Sequence, residues 1–272
     1  MIISFGLGSP FSLLYVGFAI TMTMMFIVWL IAEKIKNGGI VDVFWGLGFT
    51  VVAAVYFLLC SYPIGWMPRK IAVLLMVAIW SLRLAFFLGQ RFKRHYPEED
   101  GRYASFRQAW GKNASWGMLG AFELQAVLLA SLTMPFAISM FYGGRNFEPC
   151  EIAAMLIWFV SLIGESVADH QLDTFKKNPD NKGKVCQVGL WNYSRHPNYF
   201  FEWLTWVAFC LFSLTTPMGL YTIYCPVIMY YFLTQVTGVR ATEEQALRTK
   251  GDAYAQYQKS TNAFFPWFKK QA

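Results

Sequence analysis

Residues 189–203, Gly189-Leu-Trp-Asn-Tyr-Ser-Arg-His-Pro-Asn-Tyr-Phe-Phe-Glu-Trp203, pack Arg195, His196, Asn198, Tyr199 and Glu202 into eight residues at the mouth of an apolar segment. Charge beside hydrocarbon is costly unless it is paired or used. A plain membrane anchor has no need of such a cluster. The stretch has the pattern of a polar ligand pocket built where a membrane helix meets the cytoplasm, and that reading makes the fold a membrane fold.

Composition points the same way. Of 272 residues, 56% are hydrophobic, 18% are aromatic and 14% are charged, and the mean hydropathy is +0.37. Soluble domains carry about 25% charged residues, so the chain falls in the polytopic membrane class. A span needs about 20 mostly apolar residues. Such runs lie near 11–32, 40–60, 70–90, 117–141, 151–168, 199–215 and 218–236. The last two are short and flank Thr215-Thr-Pro-Met-Gly219, which predicts a tilted hairpin.

The formal net charge is +7. Basic residues gather after the first span (Lys34, Lys36), after the third (Arg91 to Lys112), after the fifth (Lys176 to Arg195) and in the tail. The other connections are short and nearly neutral. Seven spans with the N-terminus outside and the C-terminus in the cytoplasm put every basic block on one side. The expectation is an all-α helical bundle of about seven transmembrane helices forming a single integral-membrane domain over 1–272. Its partners are the membrane and a lipid from the bilayer, with no nucleic acid. Part of the positive excess can meet an anionic phosphate cofactor. The N-terminus lacks a basic n-region and a small-residue cleavage site, so no removable signal peptide is expected. Five scattered cysteines without a C-x-x-C pair make a zinc site or disulfide framework unexpected.

Several polar residues sit where a bilayer should exclude them. Glu165 and Asp169 are one helical turn apart at the end of the fifth span, on one face. They are either paired with a neighbouring Arg or Lys, or they contact a cofactor. Asp42, beside Trp45, is either a snorkelling carboxylate or a proton donor, since an apolar site favours the neutral acid. Arg83 lies inside the third span and must find a carboxylate or a phosphate. Glu123 and Gln125 are further interior candidates. In the tail, residues 239–260 have helical periodicity. There Glu244 can pair with Arg248, or Arg240 can bind phosphate while one of Glu243 and Glu244 caps a ribose or orders Arg195. A short amphipathic helix is predicted from Arg102 to Trp110. Trp203, Trp206, Phe265, Trp267 and Phe268 are either interface anchors or ordinary lipid and core contacts. There is no G-x-G-x-x-G, P-loop, G-x-S-x-G or H-E-x-x-H pattern, so a bound nucleotide would not sit on a Rossmann sheet.

Taken together, Val41-Asp-Val-Phe-Trp-Gly46, Trp80-Ser-Leu-Arg-Leu84, Asp100-Gly-Arg-Tyr103, Glu165-x-x-x-Asp169-x-Gln171, the 189–203 block and Gly251-x-x-Tyr254-x-x-Tyr257 before Phe264-Phe-Pro-Trp267 resemble the membrane family grouped with steroid 5-alpha-reductases, in its reductase-like branch. The resemblance implies an NADPH-dependent oxidoreductase acting on CH–CH groups, reducing an alkene conjugated to a ketone in a sterol-like or isoprenoid lipid. It implies a substrate-cavity half at 1–141 and a cofactor-binding half at 142–272. By motif position Asp169, Tyr193, Asn198 and Glu202 look like cofactor contacts. Local chemistry adds Glu165, Arg195, His196, Tyr199 and Glu243, with Arg102, Arg107, Arg195 and Arg240 as phosphate holders. Asp42 or a tyrosine near it would hydrogen-bond the carbonyl and stabilise the developing enolate. The Gln-Glu pair and Tyr of the vertebrate enzymes' substrate half are poorly matched, with Phe87 near the place of the Tyr, which argues against a steroid as substrate.

The wider superfamily contains isoprenylcysteine carboxyl methyltransferases and phospholipid methyltransferases, which bind S-adenosylmethionine. Arg195-His-Pro-Asn-Tyr199, Glu243-Glu244 and Gly251 to Tyr257 are similar to their pattern too. The alternative is therefore an S-adenosylmethionine-dependent membrane methyltransferase. The host membrane would be a bacterial inner membrane or the endoplasmic reticulum.

Overall fold

The computed structural model describes residues 9–60, 65–142, 144 and 146–269. The first eight residues, on which the signal-peptide expectation rests, lie outside these. The chain divides into two compact units, Met1–Phe147 and Glu148–Ala272.

The first unit is built from α1 (Pro10–Ile35), α2 (Ile40–Leu59), α3 (Met67–His95), α4 (Gly101–Trp110), α5 (Ala114–Leu132) and α6 (Met134–Phe141). Pro10 at the first turn of α1 has a φ suited to helix entry. Lys36 ends that helix in the left-handed region, φ 56°, with its N–H returning to Ala32 O. α2 and α3 approach closely at Gly46, where an added Cβ would lie 2.9 Å from Ala85 N. Ser81 Oγ donates to Gly46 O at 2.6 Å and lies 2.7 Å from Thr50 Oγ1, a small-residue, polar crossing of the kind that joins helices in lipid. Pro135 enters at the first turn of α6, directly after α5 ends at Leu132, and splits the predicted 117–141 span into two helices. Phe49, Trp80 and Phe136 fill the core, with ring centroids 5.2 Å and 6.4 Å from Phe49.

The second unit contains α7 (Pro149–Lys177), α8 (Pro197–Ser213), α9 (Tyr224–Tyr231), α10 (Val239–Lys250) and α11 (Asp252–Ser260). A reciprocal capping box between Glu148 and Glu151 starts α7. α7 and α8 pack at Gly164, where an added Cβ would come within 2.4 Å of the Phe201 ring.

Among the described residues, five helical segments are long and apolar enough to cross a membrane: Pro10–Ile35, Ile40–Leu59, Met67–His95, Gly101–Phe141 and Pro149–Lys177. They coincide with the first five predicted spans. The last two predicted spans differ from continuous membrane helices. α8 has 17 residues, about 26 Å at 1.5 Å per residue, against a hydrocarbon core of about 30 Å. The 218–236 stretch is broken into a 3₁₀ turn at Gly219–Thr222, the eight residues of α9, and a π-helical turn at Phe232–Val236. The predicted tail helix is also two helices, because Gly251 takes φ +51° between α10 and α11.

Candidate functional site

The 189–203 block is held by the end of α7. Gly189 has φ +54°, and a side chain there would strike the Gln171 amide. Gln171 Oε1 accepts from Leu190 N at 2.9 Å, and Trp191 Nε1 donates to Ala168 O at 2.9 Å. The chain then makes a 3₁₀ turn, Gly189–Asn192, and enters α8 with His196 as the non-helical N-cap before Pro197.

Glu243, on α10, is the centre of the charged network. Arg195 donates from Nε to Oε1 at 2.6 Å and from Nη2 to Oε2 at 3.2 Å. Gln258 Nε2 donates to Oε2 at 2.7 Å, and Tyr254 OH to Oε1 at 3.4 Å. His196 Nε2 lies 3.2 Å from Oε1. Burial alone would raise the Glu243 carboxyl, but hydrogen bonds from His196, Arg195 and Gln258 outweigh it and hold the group down at about 2. Burial pushes the His196 imidazole below its ordinary value against the pull of Glu243. The neutral ring with its proton on Nε2 satisfies both observations. Burial, and then the Glu243 charge, push the Tyr254 phenol up, so it stays a donor.

Arg195 also donates from Nη1 to Gln258 O at 3.0 Å and to Thr261 O, while its backbone N–H donates to Asn262 O at 2.9 Å. Ser194 Oγ donates to Phe264 O at 2.9 Å, Tyr257 OH to Trp191 O, and Trp267 N to Tyr193 O at 2.9 Å. Residues 261–267 are thereby strapped along 191–195.

Arg195, predicted as a phosphate holder, is 10% exposed, and its guanidinium donates to one carboxylate and two carbonyls within the unit. Of the two roles expected for the Glu243–Glu244 pair, capping a ribose or ordering Arg195, the contacts of Glu243 match the second, and they extend to His196. The predicted pairing of Glu244 is with Arg240, at 3.2 Å, rather than Arg248, and both side chains are exposed.

Next to this network, Asn198 Nδ2 donates to Asp169 Oδ1 at 3.3 Å. The Asn198 Oδ1 atom is buried with no hydrogen-bond partner. Glu165, one turn before Asp169 on α7, is buried, and Glu202 accepts from Trp206 Nε1 at 3.1 Å. Tyr199 stacks parallel on His196, centroids 5.4 Å apart, and its hydroxyl is 3.4 Å from Thr242 Oγ1. Tyr193 is exposed and meets the Phe268 ring edge-on at 6.2 Å. Asp169, Asn198, His196 and Tyr199 thus come together in the second unit.

Asp42, Arg102 and Arg107 lie in the first unit and pair there. Asp42 accepts from Arg102 Nη2 at 2.6 Å and from Tyr103 OH at 2.8 Å. Through these two contacts Asp42, predicted as the proton donor, ties α4 to α2. Arg102 also grips Asp100, the N-cap of α4, at 3.0 Å, and the arginines beside Asp100 hold its carboxyl below the usual range against the upward push of burial. Arg107 joins Glu33 at 2.7 Å and Glu99 at 3.0 Å. These arginines neutralise carboxylates of their own unit, and Arg107 Nη2 is left without a hydrogen-bond partner.

Sequence reasoning missed Gln258 and the role of Tyr254. The signal was present: the two are four residues apart, one turn on α11, with Tyr254 inside the Gly-x-x-Tyr-x-x-Tyr segment and Gln258 directly after it.

Residues 28–261 match the family described as Protein of unknown function (DUF1295). An uncharacterized protein, C594.04c, of Schizosaccharomyces pombe is 24% identical over 276 residues, covering 92% of this chain and 79% of that protein. A probable O-methyltransferase, ustE, of Ustilaginoidea virens is 41% identical over 58 residues, covering 21% of this chain and 20% of that protein. No solved structure matches the chain.

Proposed function

The chain belongs to the DUF1295 family, and we propose that it is a membrane-embedded, NADPH-dependent reductase of a carbon–carbon double bond conjugated to a ketone in a sterol-like or isoprenoid lipid. The observation that carries this reading is Asn198. Its amide oxygen is buried without a donor, inside the block whose residues resemble the reductase-like branch. Leaving such an acceptor unsatisfied costs about 1–3 kcal/mol, which is tolerable where a ligand supplies the donor.

The residues fit a nicotinamide dinucleotide. Asn198 and Asp169, with Glu202 in the same block, would hold its carboxamide or ribose hydroxyls. Arg240, exposed near the start of α10, would meet a phosphate. Bound NADPH supplies a hydride. The part of the protein is to bind and orient: Glu243 keeps the His196 imidazole and Arg195 in place, and the 261–267 strap fixes the turn that carries Asn198.

The topology that goes with this reading has seven spans, N-terminus outside and C-terminus cytoplasmic. α8 and the Gly219–Val236 segment complete it as a short, tilted hairpin. The one-sided distribution of basic blocks supports that orientation, in a bacterial inner membrane or the endoplasmic reticulum.

One observation favours a second reading, an S-adenosylmethionine-dependent methyltransferase. With Arg195 committed to Glu243, the groups around Asn198 are acceptors more than cations, which also suits the ammonium and ribose of that cofactor. Mass spectrometry of nucleotide released from the detergent-purified protein separates the two. NADPH or NADP supports the reductase, and S-adenosylmethionine or S-adenosylhomocysteine the methyltransferase. A well-folded protein that retains and binds neither overturns both.

A further inference from the structure

The Gly189–Asn192 turn lies beside the point where α7 changes from apolar to polar. α7 is long and apolar enough to cross a membrane, and its sequence turns polar at Asp169, His170, Gln171 and Asp173. Trp191 Nε1 donates to Ala168 O and Leu190 N to Gln171 Oε1, which fixes the turn at that level. The 261–267 strap is tied to the turn by Trp267 N donating to Tyr193 O and Ser194 Oγ donating to Phe264 O, each at 2.9 Å. Within the strap, Phe265 packs on Phe200 and Trp203 of α8 and on Tyr230 of α9, with ring centroids 5.9, 5.7 and 6.2 Å away. The strap therefore runs between apolar helices and the polar end of α7, which is the depth of a bilayer interface.

The outer edge of the strap is aromatic and basic. Of the five aromatic residues expected either at an interface or in ordinary contacts, Trp206 is buried and Trp203 donates from Nε1 to Pro226 O, whereas Trp267 and Phe268 are 67% and 73% exposed. Phe268 meets the rings of Tyr193 and Trp267 at 6.2 and 6.1 Å. Lys269 Nζ donates to the neutral amide of Gln187 at 3.0 Å, beside the exposed Val188. No acidic residue occurs from Asn181 to Phe201 or from Ala253 to Ala272, the two stretches that build this edge. Arg195 is turned inward to Glu243, while Lys182, Lys184 and Lys269 are exposed. Hydrocarbon cannot solvate the ammonium groups, and water leaves the rings uncovered. The headgroup layer satisfies both, rings toward the acyl chains and ammonium groups toward the phosphates. With no carboxylate interleaved, the edge complements a lipid of net negative charge better than a zwitterionic one.

We propose that the edge formed by Tyr193, Trp267, Phe268 and Lys269, with Lys182 and Lys184 leading into it, binds the headgroups of anionic phospholipids, and that this contact holds the strap against the turn that carries Arg195. The strap reaches that turn through a few hydrogen bonds and ring contacts, so a lipid that grips its outer edge also steadies the Arg195–Glu243 pair behind it. The inference goes beyond the reductase reading and does not depend on which cofactor is used.

Tryptophan fluorescence of the full chain in phosphatidylcholine vesicles tests this, with a minor share of the lipid brominated near the headgroup end of its acyl chains. The Trp267 signal is the difference between the parent and Trp267→Phe. Both bromolipids should quench it, and brominated phosphatidylglycerol should do so with a relative affinity about fivefold or more above brominated phosphatidylcholine, the gain expected from at least one lysine at an anionic surface. The combined variant Lys182→Gln, Lys184→Gln, Lys269→Gln alters only exposed side chains and should fold as the parent does. It should lose the preference, as should the parent in high salt. In mixed micelles, phosphatidylglycerol in place of phosphatidylcholine should raise the melting temperature of the parent by about 3 °C or more and leave that of the lysine variant unmoved. Trp267 quenched by neither lipid, equal quenching by both, or a preference that survives in the lysine variant overturns the proposal. So does quenching that disappears as protein density in the vesicles rises, which would assign the edge to a second copy of the chain. Equal melting temperatures of the parent in the two lipids would overturn the bracing of the strap. Neither readout involves the nucleotide, so failure of the cofactor reading is seen separately.

Discussion

Glu243 clasps Arg195 at two points, 2.6 Å from Nε to Oε1 and 3.2 Å from Nη2 to Oε2, across 48 residues of sequence. Both side chains are largely buried, at 10% and 13% exposure. Removing one member of such a pair leaves the other charge uncompensated, at about 3–5 kcal/mol. Glu243→Ala should therefore lower the thermal or denaturant midpoint sharply, while Glu244→Ala, on the exposed side of α10, should change it by no more than about 0.5 kcal/mol. Equal effects in a chemical-denaturation comparison would refute the central place given to Glu243.

The same cluster sets an acid limit on stability. The folded Glu243 carboxyl is held at about 2 against an ordinary 4.5, so its contribution is complete above the ordinary value and is lost as pH falls from 4.5 toward 2. The His196 imidazole is pushed below 6.5; the unfolded chain takes up that proton first, so stability begins to fall as pH drops through 6.5. Both effects have one sign. The melting temperature should decline in two stages on acidification, and His196→Gln should remove the upper stage and leave the lower one. A single stage in the parent protein would contradict this.

Asn198→Ala should reduce nucleotide retained through purification by about tenfold or more, the loss of about 1.4 kcal/mol or more. The unliganded melting temperature should fall only by the loss of the one 3.3 Å hydrogen bond to Asp169, about 0.5–1.5 kcal/mol, because Asn198 Oδ1 makes no hydrogen bond within the protein. Retention at the parent level would move the ligand site elsewhere in the chain.

Asp42→Asn separates a latch from a catalyst. As the shared acceptor of Arg102 and Tyr103, Asp42 should show its loss in the melting temperature, by roughly 1–3 kcal/mol. Normal stability with abolished turnover would restore it as the proton donor.

Gly46 makes the closest test of packing. An added Cβ meets Ala85 backbone atoms at 2.9 Å and 3.0 Å, which cannot move aside as a flexible side chain can. Gly46→Ala should destabilise by roughly 1–3 kcal/mol, read as a lower melting temperature in detergent.

The long apolar helices were legible because hydropathy summed over twenty residues is a strong signal, and α4 was legible from its amphipathic pattern. The interruptions in the sixth and seventh predicted spans were not legible, because hydropathy records composition and not helix continuity. Residues 218–236 are apolar enough, yet a 3₁₀ turn and a π turn interrupt them. In the site, the Arg195-His196-Pro197-Asn198 block announced itself. What each residue does there was hidden, because the partner of Arg195 is 48 residues away and was one of two adjacent glutamates. Only the rotational phase of α10, set beyond Gly238, turns Glu243 inward and leaves Glu244 in solvent. The ion pairs of the arginines in the 91–116 loop were hidden for a similar reason: their carboxylate partners at Glu33 and Asp42 come from other helices.

The guanidinium of Arg195 joins three stretches of backbone, reaching 48, 63 and 66 residues along the chain. Extracellular domains commonly achieve that reach with a covalent sulfur bridge; here Cys60, Cys150, Cys186, Cys210 and Cys225 are all free thiols. The cross-link is thus indifferent to reductant but chemically vulnerable to one solute, guanidinium itself, which competes for the same carboxylate and carbonyls. Guanidinium chloride should unfold the second unit at a concentration lower, relative to urea, than the usual twofold ratio of the two denaturants.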